Sequence, residues 1–409
     1  MNELYFDNNA TTPLDGVVLE ALQGALAENY GNPSSRHPLG EKALAAVDRA
    51  RRSLVQLVGA NSPREIVFTS GGTESIHTAA HIALAEKPNG SVLMSSVEHA
   101  AVQRPLEAWS GRGMSLERIG VDEAGRLALD EVLVALAKNT LGQTQSRPIH
   151  LVSLLLANNE TGVLLPVDDL EAIANGARQA GALVHLDAVQ VPGKLPLQDW
   201  VDHADLISLS AHKFHGPKGV GALYVRSGLP TPAAGFLTGG PQEEERRAGT
   251  LNVPGIVGMG VAADRALEHL ADVPARVRLR ELRDRLETGL LARIPGLRIH
   301  ASGAERLPNT SNVGLTEADA KGVDGELLHL SLAAEGLCVS GGSACSAHTQ
   351  KPSDVLLAMG IPEDEARASL RFSLSRMTRP EEVDRAVEIT ARTISGLMGF
   401  SPTADSNRS

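Results

Sequence analysis

One lysine stands where amine chemistry could be done. The run Asp205-Leu-Ile-Ser-Leu-Ser210 reads as a strand and delivers Lys213 into Ala211-His-Lys-Phe-His-Gly-Pro-Lys218, a turn rich in glycine, proline and histidine. Desolvation and neighbouring cations lower an amine's pKa and make it nucleophilic toward a carbonyl. Lys213 is therefore a candidate Schiff-base former; the competing reading is a solvated loop lysine.

A second centre is anionic in its preference. The predicted strand Glu65–Thr69 runs into Ser70-Gly-Gly-Thr-Glu-Ser75 and then a helical stretch to Leu84. Glycines let backbone N–H groups approach a phosphate, and the helix dipole favours negative charge there. Gly72 and Thr73 are the candidate contacts, against the plainer reading of an ordinary strand-to-helix turn. No GxxxxGK[ST] motif occurs, and the partial echo of a dinucleotide fingerprint at Gly258-Met-Gly-Val-Ala-Ala263 is preceded by Pro254 and Gly255 rather than a strand, so it reads as helix packing.

Other candidates fall at strand ends. Asp187 closes Ala182-Leu-Val-His-Leu186, where open α/β sheets bind ligands; it could hold a protonated ring nitrogen or cap a helix. His99 follows Ser91–Ser95 and could stack on an aromatic cofactor and move protons, or be a hydrogen-bonded structural histidine. Asn159 lies in the turn Ala157-Asn-Asn-Glu-Thr-Gly162. Of the two cysteines, Cys338 reads as a core filler, whereas Cys345 stands among small polar residues in Ser340–Pro352, an expected mobile loop from which a thiol can reach a substrate. Arg371 interrupts the apolar strand Ser369–Ser375 and either caps a surface or forks onto a carboxylate.

These residues need a scaffold to converge. Short apolar runs at Glu65–Thr69, Ser91–Ser95, Ile149–Leu156, Ala182–Leu186, Asp205–Leu209 and Gly221–Val225 alternate with helical stretches such as Asp168–Gln179. That order predicts an α/β fold with a mostly parallel central sheet. A long charged helical stretch is expected over Ala262–Ala292, followed by a smaller α+β region to residue 399. The expected division is a large domain over 15–260, a small domain from 1–14 and 261–399 that carries the cysteine loop, and a frayed tail at 400–409; Leu141–Pro148 reads as a surface loop.

Composition narrows the function classes. With 409 residues, 42% hydrophobic and 21% charged, the chain has an ordinary globular balance. A net charge of -11 argues against a nucleic-acid-binding surface as its main business. No apolar run approaches a membrane span and no signal segment is visible, so a cytoplasmic, membrane-free protein is expected. Two cysteines outside any CxxC pair exclude a disulfide scaffold, and no zinc spacing appears, so no metal is expected.

Taken together and in order, the segments resemble the cysteine desulfurases of the NifS/IscS type, class V aminotransferase-like enzymes of fold-type I that use pyridoxal 5'-phosphate (PLP). The likeness spans Tyr5-Phe-Asp-Asn-Asn-Ala-Thr-Thr-Pro13, Gly31–Ser35, Ser70–Ser75, Val97–His99, Ala157–Gly162, Asp187–Gln190, Ser210–Lys213, Arg246–Pro254, Gly342–Cys345 and Leu370–Leu374. It implies that Lys213 forms the Schiff base with PLP, while Gly72, Thr73, Ser210 and His212 hold the phosphate. Thr250 would reach that phosphate from a neighbouring subunit, which implies a homodimer. Asp187 would pair with the pyridine nitrogen, Gln190 with the ring hydroxyl, and His99 would stack on the ring and accept the thiol proton. Asn159 and Arg371 would face the substrate, Arg371 taking its carboxylate, and Cys345 would receive the sulfur.

The implied reaction turns L-cysteine into L-alanine and a persulfide on Cys345, destined for iron–sulfur cluster assembly or another sulfur pathway through an acceptor or scaffold protein. The sequence departs from the family pattern in reading Cys-Ser-Ala-His from the cysteine on, and His348 could tune the thiol or, the plainer reading, be a surface residue. Parts of the pattern, including Pro352-Ser-Asp-Val-Leu, also resemble selenocysteine lyases, the principal alternative. A non-sulfur PLP aminotransferase has no need of the Cys345 thiol.

Overall fold

The computed structural model describes residues 3–87, 89–140, 147–229, 232, 234–316, 323–341 and 351–399. Cys345 and His348, most of the loop before Pro148, and the tail lie outside the described residues. Among the described residues there are twelve strands: β1 (Leu4–Tyr5), β2 (Ile66–Thr69), β3 (Gly90–Ser95), β4 (Met114–Ile119), β5 (Ile149–Leu155), β6 (Leu183–Asp187), β7 (Leu206–Ser210), β8 (Gly221–Val225), β9 (Leu297–Ile299), β10 (Thr310–Leu315), β11 (Leu337–Cys338) and β12 (Leu370–Ser373).

The main sheet has seven strands in the order β2-β8-β7-β6-β5-β3-β4. Its β4-β3-β5-β6-β7 portion is parallel, while β8 runs against both neighbours. Because β2 is antiparallel to β8, it points the same way as β7. The C-terminal ends of β2, β3, β5, β6 and β7 therefore open onto one edge of the sheet, where open α/β sheets take ligands. Central strands such as β3 and β8 are buried along their whole length, as expected where helices cover both faces. The edge strand β4, with Glu117 and Arg118 exposed, gave too diluted an apolar signal to be expected from sequence.

The region expected to be one helical stretch is two helices, Val253–Ala271 and Val273–Arg293. Pro274 in the first turn of the second helix lacks the N–H that a continuous helix needs, and the Asp272 carboxylate accepts from Ala275 N–H as a cap at 3.1 Å. The first helix crosses residue 260 and packs Ala262, Ala263 and Ala266 into the large core. At Gly260 an added Cβ would lie 2.5 Å from Ala50 Cα, so this glycine permits close contact with the helix Pro38–Val58. The glycine pair of that segment is thus helix packing. We place the seam between the two cores at Asp272.

Beyond the seam, β12-β10-β9 form an antiparallel sheet. A second core gathers Leu279, Leu282, Leu286 and Leu290 of the helix Val273–Arg293 with Val313, Leu328, Phe372 and Val387. Leu4 and Phe6 from the other end of the chain belong to the same core, and β1 pairs with β11 in parallel. The segment from Asp7 to Thr12 then leaves this core and crosses to the ligand edge of the main sheet.

Candidate active site

The expected phosphate end is built by backbone. Gly71 takes φ 154°, ψ -177°, a conformation reserved for glycine, and precedes the helix Gly72–Leu84 without any side-chain cap. The N–H groups of that first turn are thereby left for an anion. The Glu74 carboxylate closes the turn by accepting from Ser70 N–H at 2.7 Å, and it takes Arg247 Nε at 2.7 Å on its other oxygen. An added Cβ on Gly72 would meet Val189 Cγ1 at 3.1 Å and Ser210 Cβ at 3.5 Å, so Gly72 and Ser210 share one cradle. Ser210 is buried at the end of β7, and its hydroxyl caps nothing. Thr73 is exposed on the first turn. His212 Nδ1 lies 3.1 Å from Thr11 Oγ1; burial, then Lys213 and Lys218, press its pKa down to about 4, so the ring is neutral at physiological pH.

Lys213 follows in the same turn. Its amine donates to the carbonyls of Asn9 at 2.7 Å and Ala10 at 3.0 Å. Asp187 ends β6, buried; its Oδ1 accepts from Val189 N–H at 3.1 Å, and no helix begins here for it to cap. Burial raises its pKa to about 6, against the opposing pull of that N–H and of Lys213. A buried carboxylate in this state is relieved by a ring N–H⁺. Together with the uncapped helix terminus, the Gly72–Ser210 cradle and the lysine amine, it supplies the donor and acceptor set that PLP requires, so the residues fit the cofactor.

Gln190 was expected to face the ring hydroxyl. Its Nε2 donates to Asn9 O at 2.9 Å, and its Oε1 accepts from Lys194 Nζ at 2.9 Å. Lys194 is buried, and desolvation, then Lys213 and Arg371, lower its pKa to about 7. Sequence reasoning missed this lysine because Pro192-Gly193-Lys194 reads as a surface turn. It also assigned no role to Asn9, which proves to be a hub. Besides receiving Lys213 and Gln190 on its carbonyl, Asn9 donates from Nδ2 to Thr310 Oγ1 at 2.9 Å and Asn159 O at 3.1 Å, and accepts Asn309 Nδ2 at 3.1 Å.

His99 caps the helix Ala100–Ser110, its Nδ1 accepting from Ala101 N–H at 3.1 Å. Burial, followed by Lys213 and Arg371, holds its pKa below the ordinary imidazole value. The cap puts the neutral ring's proton on Nε2, which makes that nitrogen a donor. This bears on the expectation of a proton acceptor: taking a thiol proton at Nε2 would first require release of the cap or a tautomer change. Beside it, Glu98 is wholly buried, its Oε1 accepting from the Ser95 hydroxyl at 2.6 Å and Leu155 N–H at 2.8 Å, with its pKa pushed up to about 8 by burial.

On the small-domain side, Arg371 is the largest fully buried side chain among the described residues. It caps no surface. It donates from Nη2 to Asp7 Oδ1 at 2.7 Å and from Nη1 to Asn159 O at 3.2 Å, and its buried Nε has no hydrogen-bond partner among the described residues. The Asn158 side chain accepts from Glu160 and Thr161 N–H and donates to Val97 O, so Asn159 is the amide this turn presents. Glu160, buried and raised to about 7 mainly by desolvation, accepts from the Ser353 hydroxyl and ties residue 353 to the turn. Thr250 is exposed and stands apart from this cluster, beyond a turn in which Glu243, Glu244 and Glu245 all take positive φ; the Arg51–Glu243 ion pair at 2.6 Å pins that turn. Cys338 is part-buried in β11, its thiol pKa raised by burial and the nearby carboxylates of Glu3 and Asp7, which keeps it protonated and inert.

The chain matches the class-V aminotransferase family model over residues 4–386. It is 44% identical over 406 residues to a cysteine desulfurase of Cereibacter sphaeroides, with 98% of each chain covered. A cysteine desulfurase of Nostoc is 41% identical over 403 residues, covering 98% of this chain and 95% of that one. Among solved structures, a NifS-like protein superposes with a TM-score of 0.83 at 35% identity, covering 96% of this chain and 100% of that one. A NifS-like protein from Rickettsia africae gives 0.82 at 28% identity, covering 97% and 100%. The family resemblance of the sequence motifs and the parallel-sheet fold are thereby borne out, and the curated relatives do not favour the selenocysteine lyase alternative. The chain belongs to the class-V aminotransferase family, among its cysteine desulfurases.

Proposed function

We propose that this protein is a PLP-dependent cysteine desulfurase that converts L-cysteine to L-alanine and places the sulfur on Cys345. The observation that carries this reading is the meeting of Lys213, Asp187, the uncapped Gly71–Gly72 turn and Arg371 at one sheet edge, in a chain 44% identical to a cysteine desulfurase along its length. PLP, when bound, supplies an electron sink for the bonds at the substrate's Cα and Cβ.

The chain's own groups do the rest. Lys213 would hold the cofactor, and its amine would carry the Cα proton. Asp187 would keep a positive charge at the ring nitrogen, and Gly72, Thr73, Ser210 and His212 would bind the phosphate. His99 would lie against the ring and offer Nε2–H as a donor. Arg371, whose Nε has no hydrogen-bond partner among the described residues, would receive the substrate carboxylate with Asn159 alongside. The Cys345 thiolate attacks the substrate sulfur, and the Cβ–S bond breaks with its electron pair passing to carbon, which then takes up protons to become alanine.

Exposed Thr250 fits a contact with the phosphate of a second subunit, so the working form is read as a homodimer. Two cysteines in 409 residues fit a reducing cytoplasm, where an acceptor or scaffold protein would take the persulfide sulfur toward iron–sulfur clusters or another sulfur pathway. Alanine release is to be measured with L-cysteine and L-selenocysteine side by side under a reductant. Release from cysteine, lost in Cys345→Ala while the cofactor colour stays, is the expected result. Release from selenocysteine alone, or undiminished turnover in Cys345→Ala, would overturn it.

A further inference from the structure

Two lysine amines, half-buried Lys213 and buried Lys194, stand at this site, and the reaction uses only the first. Lys194 stands four residues after Gln190 and is 8% exposed, a burial that a lysine rarely tolerates without a task. Its ammonium donates to Gln190 Oε1 at 2.9 Å and makes a longer approach of 3.5 Å to Asn9 Oδ1. A cavity of about 20 Å³ lined by Lys194, Lys213, His215 and Thr12 adjoins it, large enough for one water to satisfy a remaining N–H.

We infer that Lys194 is a positioning residue that fixes which way the Gln190 amide faces, making Gln190 a hydrogen-bond donor toward the ring oxygen of the cofactor. A glutamine amide can present either its oxygen or its nitrogen, and its surroundings decide. Here two neighbours act on the choice together. Reversing the amide would set its NH₂ against an ammonium and its oxygen against the Asn9 carbonyl, which now receives Nε2–H at 2.9 Å. With the oxygen committed to Lys194 and one N–H to Asn9, the second N–H is what the amide offers a ligand. Such a donor suits an ionised phenolic oxygen and repels nothing, whereas a reversed amide would oppose lone pair to lone pair. Lys194 thus acts through Gln190 without touching the cofactor.

The inference rests on the proposed pairing of Gln190 with the ring hydroxyl, and a double-mutant cycle separates the two. PLP dissociation constants and the absorption maximum of the bound cofactor are measured for wild type, Lys194→Met, Gln190→Ala and the double variant. Met matches the lysine stem and leaves no buried charge, so folding is expected to survive; Lys194→Leu, equally unable to donate, replaces it if it does not. Lys194→Met should weaken PLP binding roughly five- to tenfold, the worth of one oriented hydrogen bond, and shift the absorption maximum. Both effects should vanish in the Gln190→Ala background, and Lys194→Arg, which keeps charge and donors, should restore them. Gln190→Ala altering binding and spectrum while Lys194→Met alters neither, or alters them equally in both backgrounds, would overturn the inference and leave the cofactor reading standing. Gln190→Ala without effect would overturn both.

Discussion

The two ends of this site are made differently. The proposed phosphate end is centred on six consecutive residues, Ser70–Ser75, with Ser210 and His212 beside them, and its main working parts are backbone N–H groups at the start of one helix. The ring end is assembled from Asn9, Asp187, Gln190, Lys194 and Asn309, brought from three separate stretches of chain and all buried. At the first end the loss of a side chain leaves the donors in place. At the second, each removal strands a buried partner, and a stranded group costs about 1–3 kcal/mol. Robustness belongs to the backbone site, and chemical tuning to the side-chain network.

The largest expected contrast is between Asp187→Asn and Thr73→Ala. Asn can still accept from Val189 N–H but brings no charge to the ring nitrogen, so turnover should fall on the order of 100-fold with PLP still bound, as when a preorganised electrostatic group is removed. Thr73 is exposed and adds one hydroxyl to a set of N–H donors, so Thr73→Ala should weaken PLP binding by less than about tenfold, the value of a single hydrogen bond. Steady-state turnover and cofactor titration on both variants decide. Equal losses would erase the distinction between the two ends.

A smaller effect, on stability, should follow from Asn9→Ala. The substitution keeps the carbonyl that receives Lys213 and Gln190 but removes the amide that binds Thr310, Asn159 and Asn309 across the seam. Asn309 retains Leu374 O, and Asn159 O retains Arg371, so the cost is less than three stranded groups. A loss of about 2–3 kcal/mol in urea unfolding is expected, with cofactor colour preserved. An unchanged midpoint would mean that the N-terminal strap is not held by this side chain.

The same difference explains what the sequence disclosed. Gly71, Gly72, Asp187 and Lys213 could be read because each sits at a strand end, and the strands are buried apolar runs that announce themselves. Lys194 could not: a lysine after Pro-Gly is the usual composition of a surface turn, and only the arrival of Asn9 and Gln190 makes it internal. Arg371 was visible as a break in an apolar strand, but its partner Asp7 lies 364 residues away in sequence. The helix break at Asp272 was signalled by Pro274 but outweighed by continuous charged periodicity on either side. Catalysis by Cys345 rests on sequence alone, since that residue is outside the described structure.

Glu98 offers the finest test of the ring end, because it lies behind His99 and feels Asp187. Its folded pKa of about 8 is raised above the ordinary carboxylate value by burial, with Asp187 adding to the rise. Between about pH 4.5 and 8 the folded state therefore holds a proton that the unfolded chain has released. Stability contributed by that proton falls as pH rises through this window. Glu98→Gln keeps an oxygen for the Ser95 hydroxyl and Leu155 N–H and cannot ionise, so its share of the slope disappears. From pH 6 to pH 7 the wild-type apoprotein should lose about 1 kcal/mol more than the variant, one proton's worth per pH unit. Glu160 and Asp187 remain in both proteins and cancel from the difference. Parallel urea midpoints at the two pH values would show Glu98 to be ionised in the fold, and the negative charge beside Asp187 would then belong to the resting site.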